Sequence, residues 1–137
     1  MGNDTIFVDT SMFYALANER NNFHHQAVQI WAKLKENNIV PITSNYVLDE
    51  TFTLLRKRRG RVVVDEFRKN LAGEYPIKIT RVTVTDEAKA WEWFLLDWSD
   101  LSFTDCISFT MMKRLDITCV ATFDQHFQRA GFEIEKE

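Results

Sequence analysis

Glycine and proline are scarce in this chain, with four and two among 137 residues. No linker, low-complexity tract or internal repeat interrupts it. The organisation expected is one domain over residues 1–137, an ordinary size for a single folding unit. Cysteine is scarce too. Cys106 and Cys119 match neither a zinc-ligand spacing nor a redox pair, and both stand among apolar neighbours. They read as reduced core residues in a reducing compartment. No apolar run approaches the ~20 residues that a membrane-spanning helix needs. The N-terminus, MGNDTIFVDTS, lacks the basic region and long apolar stretch of a signal peptide, and Ile6 breaks the myristoylation pattern that Gly2 suggests. These absences point to the cytoplasm, with no membrane partner. Nor is there a surplus of positive charge. The formal net charge is −3, which argues against gripping nucleic acid through bulk positive charge. It leaves room for a cluster of acids that holds metal ions, since such a cluster itself pulls the balance negative.

The hydrophobic share of 45% is enough for a core, and 27% charged residues is an ordinary globular value that argues against disorder. Residues 5–8 form a β-branched and aromatic run that stops at Asp9-Thr10-Ser11, the pattern of a buried strand ending in a turn. Residues 12–35 are helical in pattern with a break near Asn21-Asn22, and Ala27, Ile30, Trp31 and Leu34 mark the inner face of the second part. Residues 39–43 make a second strand, which Pro41 predicts to be an edge or irregular one. Ser44 or Asn45 caps a helix to about Arg59, where Gly60 suits a stop. A further helix covers about 62–72, and residues 77–84 are strand-like. Thr85 is the expected cap of the next helix, with Ala88, Trp91, Leu95 and Trp98 as its inner face. Residues 102–115 form another helix, in which Ser102-x-x-Asp105 resembles a capping box. Residues 117–123 are the clearest strand and end at Asp124, and 132–135 form a short last one. Strands alternating with helices imply a parallel sheet with right-handed crossovers, whose ligand crevice lies beyond the carboxyl ends of the strands.

That rule collects four acids. Asp9 and Asp124 each follow a strand directly. Asp105 opens the helix that feeds the 117–123 strand. Glu50 lies in the helix after the second strand, beside Leu54 at the edge of an apolar stripe of Val47, Leu48, Thr51, Phe52, Leu54 and Leu55. Each acid also has a plain structural reading. Asp9 and Asp124 could end strands in turns, Asp105 could serve a helix dipole, and Glu50 could be a solvated helix residue. Gathered at one edge, they instead suit phosphodiester hydrolysis. That reaction needs an activated water and a stabilised leaving oxygen, which hard divalent ions on carboxylates provide. The hydroxyls of Thr10, Ser11 and Thr104 could orient carboxylates or bound water.

The segments FVDTS, SNYVLDET, LSFTDCISF and TFDQHF resemble, in order and spacing, the motif series of PIN-domain nucleases, and most of all the VapC-like toxins of prokaryotic toxin–antitoxin systems. The likeness runs from about Ile6 to Phe132. It implies a three-layer α/β/α fold with a central parallel sheet, and cleavage of RNA dependent on Mg²⁺ or Mn²⁺. By motif position Asp9, Glu50, Asp105 and Asp124 are the metal-binding and catalytic acids. The likeness also implies a homodimer and a small antitoxin partner that covers the acidic crevice, often with a basic side chain. Asp49 faces away from the apolar stripe and is read as solvated, and Asp100 as a bystander.

Other features are weighed more plainly. The run Arg56-Lys57-Arg58-Arg59-Gly60-Arg61 could follow an RNA backbone, but cations also belong at a helix C-terminus before a glycine. His24 and His25 point about 100° apart on a helix and make poor co-ligands. His126 lies near the crevice with no role specified. Trp91 and Trp98 read as core by their spacing, and Trp93 as partner-facing. A haloacid-dehalogenase-type phosphotransferase would want a second Asp where Ser11 stands. A non-catalytic PIN-like module that binds RNA or protein, and a housekeeping ribonuclease, are the remaining alternatives.

Overall fold

A computed structural model describes residues 4–137, so Gly2 lies outside the described residues. The strands are β1 (Thr5–Val8), β2 (Val40–Ser44), β3 (Lys78–Thr80), β4 (Cys119–Ala121) and β5 (Glu133–Ile134). Among them run helices α1 (Thr10–Ala17), α2 (His24–Glu36), α3 (Asn45–Arg59), α4 (Arg61–Asn70), α5 (Val84–Phe94), α6 (Phe103–Arg114) and α7 (His126–Arg129). The sheet is parallel throughout, in the order β3-β2-β1-β4-β5. From β1 the chain steps outward to β2 and β3, then crosses back past β1 to β4. Right-handed crossovers therefore place α1–α4 on one face and α5–α7 on the other, which makes the three-layer α/β/α arrangement that the family resemblance implied. The order reverses between β1 and β4, and an open α/β sheet forms its ligand crevice at such a switch point.

Strand β1 is buried on both faces, as its unbroken apolar run requires: Ile6, Phe7 and Val8 are all sealed from solvent. Phe13, Phe109, Met112 and Phe127 join the same core, largely through edge-to-face ring contacts such as Phe109 on Phe127. Five local readings need correction. The 117–123 strand shrinks to Cys119–Ala121, so Asp124 stands in the loop beyond β4 and not directly at its end. Pro41 is not at an edge, because β2 pairs with both β1 and β3. It is tolerated because β3 joins only from Ile42 onward, so no two-sided ladder loses a donor. The 77–84 strand shrinks to three residues. Helix α5 begins earlier than expected, capped by Thr83, with a capping box closed by Asp86. Its buried residues are accordingly Asp86 and Ala90, and Trp93 packs on Phe109, whereas Trp91 is 49% and Leu95 78% exposed. The pattern misled because a charged residue faces inward. Asp86 receives a two-pronged bond from Arg114 of α6, at 2.8 Å for each nitrogen.

Among the described residues no helix is long and apolar enough to cross a membrane. Both thiols are free, and burial pushes each of them up to about 12, with Asp105 adding to the effect at Cys106 and Glu135 and Glu133 at Cys119. Neither has the lowered thiolate range of a reactive cysteine.

Candidate active site

Asp9, Glu50, Asp105 and Asp124 line one open cleft of about 610 Å³ beyond the carboxyl ends of β1 and β4. Asp9 is the N-cap of α1, and its Oδ2 accepts from the Ser11 amide at 3.3 Å, the Ser11 hydroxyl at 2.9 Å and the Thr122 hydroxyl at 2.8 Å. Thr122 and Ser11 also meet each other at 3.0 Å. The same two hydroxyls accept the amides that follow β4: Phe123 N–H donates to Ser11 and Asp124 N–H to Thr122. A small hydroxyl network thus ties the Asp124 loop to Asp9, so that the two strand ends hold one geometry.

Asp105 closes a capping box with Ser102. Its own amide donates to Ser102 Oγ at 3.0 Å, and its Oδ2 accepts from the Ser102 amide at 3.3 Å. Asp124 Oδ1 accepts the His126 amide at 2.9 Å and faces His126 Nδ1 at 2.8 Å. A pattern emerges across the three aspartates. Each spends one carboxylate oxygen on the bonds that position it. The other oxygen, Oδ1 of Asp9, Oδ1 of Asp105 and Oδ2 of Asp124, has no hydrogen-bond partner among the described residues. Glu50 and Leu54 reach the cleft from α3, and Glu50 is half-buried and makes no side-chain hydrogen bond among the described residues.

The electrostatics are those of crowded acids. Asp9 is 3% and Asp105 7% exposed. Burial pushes the Asp105 carboxyl up to about 7, with Asp9 and Asp124 adding repulsion and the Ser102 bonds pulling the other way. Burial likewise raises Asp9 against the bonds from Thr122 and Ser11, and Asp124 adds to the rise. A charged cluster this enclosed calls for positive charge.

His126 supplies some of it. Its Nε2 lies 2.7 Å from the Ser99 carbonyl while Nδ1 faces Asp124. Both partners are acceptors, so both ring nitrogens are placed to donate, an arrangement that favours the imidazolium form. Burial alone would lower its pKa, but the Ser99 carbonyl, Asp124 and Asp105 outweigh it and the value is raised. One ligand atom each from Asp105, Asp124 and His126 lies within 4.8 Å of the others. For His126 to bind a metal, however, it would have to give up one of these two bonds and a proton. It serves better as a counter-ion to Asp124.

The residues present suit a hard divalent cation. The free donors are carboxylate oxygens, which Mg²⁺ and Mn²⁺ prefer. The hydroxyl of Thr10, on the cleft wall and 7% exposed, is buried without a partner, and a metal-bound water or a phosphate oxygen would satisfy it.

The sequence brought the four acids together on one edge, and they share one cleft. Of the hydroxyls singled out, Ser11 holds Asp9. Thr10 has no partner, and Thr104 makes no side-chain hydrogen bond to the acids among the described residues. Asp49 is exposed, whereas Asp100 lies on the cleft wall in the left-handed region at φ 59°. His24 is structural, with Nδ1 2.7 Å from the Ala15 carbonyl, where it ties α2 to α1, and His25 is exposed. Thr122 and the pairing of His126 were not foreseen. Their meaning depends on which strand lies beside β1, and no local pattern carries that.

This chain belongs to the PIN domain family, whose sequence profile matches residues 6–133. It is 39% identical over 129 residues to the 23S rRNA-specific endonuclease VapC20 of Mycobacterium tuberculosis, in both strain CDC 1551 / Oshkosh and strain ATCC 25618 / H37Rv, covering 93% of this chain and 95% of the relative. The crystal structure of M. tuberculosis VapC20, a Sarcin-Ricin loop cleaving toxin, superposes with a TM-score of 0.87 at 34% identity, covering 96% of this chain and 99% of that one. PIN nucleases generally use divalent metals.

Proposed function

We propose that this protein is an endoribonuclease that uses Mg²⁺ or Mn²⁺ to hydrolyse RNA phosphodiester bonds at Asp9, Glu50, Asp105 and Asp124, and that it is the toxin of a cytoplasmic toxin–antitoxin pair. The observation that carries the reading is the arrangement of the three aspartates, each with one oxygen pinned and one free in the same cleft. A bound divalent ion would supply Lewis-acid charge for the attacking water and the leaving oxygen. The chain's own groups do the rest. Ser11 and Thr122 fix the direction of Asp9, Ser102 fixes Asp105, and His126 neutralises and orients Asp124. Thr10 offers a hydroxyl to the bound phosphate or its water.

The likeness to VapC20 makes a structured loop of 23S rRNA the favoured substrate. Purified protein incubated with ribosomes and Mg²⁺ or Mn²⁺ is expected to cut 23S rRNA at one position, mapped by primer extension. EDTA should abolish the cut. Intact 23S rRNA under metal-replete conditions would contradict the substrate assignment, and failure to cut any RNA would contradict the nuclease itself.

The antitoxin proposed here is a small protein that brings a basic side chain into the acidic cleft, where the repulsion among Asp9, Asp105 and Asp124 favours a cation. A homodimer is proposed as well. It is supported by the apolar groups that α5 leaves uncovered, with Val84 82% exposed beside Trp91 and Leu95. Light scattering on Leu95→Lys is expected to give a monomer where the parent gives a dimer. A dimer that persists would remove this face from the interface.

A further inference from the structure

The cleft that holds the acids contains no lysine or arginine among its described lining residues. Nucleic-acid sites usually hold phosphates with such cations; here positive charge is left to His126 and a bound divalent ion, so the rest of the RNA must be held by other groups. What its wall does offer is aromatic surface. Phe23 precedes α2 and is 45% exposed, and its ring lies on Phe123 at a centroid distance of 4.6 Å and an interplanar angle of 9°. Most ring pairs of the core meet edge to face instead, for example Phe13 with Trp31 and with Phe67. Both rings line the cleft, and Phe23 stays 45% exposed while stacked on Phe123, an arrangement that a further flat ring can extend.

The pair is also fixed relative to the acids. Phe123 lies between Thr122, which donates to Asp9, and Asp124, and its amide is held by Ser11 at 2.9 Å. The hydroxyl that orients Asp9 therefore also positions the platform. Phe23 in turn is set by its amide, which donates to Asn21 Oδ1 at 2.9 Å.

We propose that Phe23, backed by Phe123, is a stacking platform for an unpaired nucleobase next to the scissile phosphate, and so a substrate-positioning residue. The proposal rests on the ribonuclease reading for its substrate class. It states which chemical feature of RNA the cleft recognises: the face of a base that has left its helix, as sequence-specific RNA recognition commonly requires. Stacking tolerates any base, so the platform contributes affinity and position, while base identity would be read by other contacts.

The test uses the full chain carrying Asp105→Asn, which keeps RNA intact, and a short fluorescein-labelled single-stranded oligoribonucleotide followed by fluorescence anisotropy. Adding Phe23→Leu is expected to weaken binding by roughly ten- to a hundredfold, because leucine keeps the packing on Phe123 but has no aromatic face. Phe23→Trp is expected to retain the parent affinity. The loss should be the same at low and high salt, since stacking releases no counterions. In the chain with Asp105 intact, Phe23→Leu should raise KM and leave kcat nearly unchanged. Equal affinity of Phe23→Leu and its parent, absent binding by the parent, or an equal loss in Phe23→Trp would each overturn the platform. A wild-type chain that binds the oligoribonucleotide through Phe23 but cuts no RNA would leave the platform standing and remove the nuclease reading instead.

Discussion

Asp105→Asn is expected to lower metal-dependent RNA cleavage by at least about a thousandfold while making the metal-free protein more stable. The two effects have one cause. The Asp105 carboxyl is buried beside Asp9 and Asp124, which raises it to about 7. In the unfolded chain it returns to the ordinary range near 4. Between these values the folded protein holds a proton that the unfolded chain has released, so stability falls as pH rises through the window from about 4 to about 7 and stays low above it. Asparagine carries no charge to bury, and its side-chain carbonyl can still accept from the Ser102 amide. At pH 8 without metal, the gain expected is about 1–3 kcal/mol, seen as a rise of several degrees in Tm. Saturating Mg²⁺ or Mn²⁺ should stabilise the wild-type chain and narrow or reverse the gap, because the ion binds the folded state. A metal-free Asp105→Asn protein that melts below wild type at pH 8 would contradict the electrostatic account of the cleft, whatever its activity.

The largest loss of stability is expected far from the cleft. Asp86→Ala should destabilise the fold by about 2–3 kcal/mol, measured by urea denaturation. Asp86 is 1% exposed, accepts both Arg114 nitrogens at 2.8 Å and the Thr83 amide at 3.0 Å, and so joins the start of α5 to the end of α6. The lower end of the expected range reflects Arg114, whose side chain is 37% exposed and can turn to water once its partner is gone. Asp86→Asn keeps the capping acceptor and should cost less. Burial pushes the Asp86 carboxyl up, but the Arg114 fork and the Thr83 bonds outweigh it and hold it below the usual carboxylate range. A lowered folded value means that the contribution is present above the unfolded value near 4 and is lost as pH falls through the folded one. The gap between wild type and Asp86→Ala should accordingly be level from about pH 5 to 8 and close at lower pH. A gap that widens on acidification would show that the ion pair is not its source.

Legibility in the sequence followed the range of the interaction responsible. Strand β1 and the Ser102–Asp105 box are set by neighbours a few residues apart and could be read directly, and the α3 cap narrows to Ser44 or Asn45, of which Ser44 is the cap. Asp9 follows from the end of β1 alone, whereas Asp124 stands three residues past β4 and is held there by the Thr122 hydroxyl. The helical period puts Glu50 only at the edge of the apolar stripe, so its placement rests more on the likeness of SNYVLDET to the PIN motif. The register of α5 failed because its inward residue is an aspartate whose partner stands 28 positions away. Pro41 misled because strand order, not composition, decides which strands are interior. The short helix α7 has too few residues to show a period. The hydroxyl bridge of Thr122 to Asp9 spans 113 positions and exists only because β4 lies beside β1. Local patterns therefore located the acids, and tertiary pairing decided how each is held and neutralised.

Anomalous diffraction from crystals soaked in Mn²⁺ would locate the metal in the acidic cleft directly. A manganese peak is expected in the cleft, coordinated by the free oxygens of Asp9, Asp105 and Asp124, with His126 still bonded to Ser99 and Asp124, and no such peak in Asp105→Asn crystals. A wild-type cleft that takes up no manganese at millimolar concentration, or a peak bound to His126 with the aspartates uninvolved, would contradict the metal-site assignment.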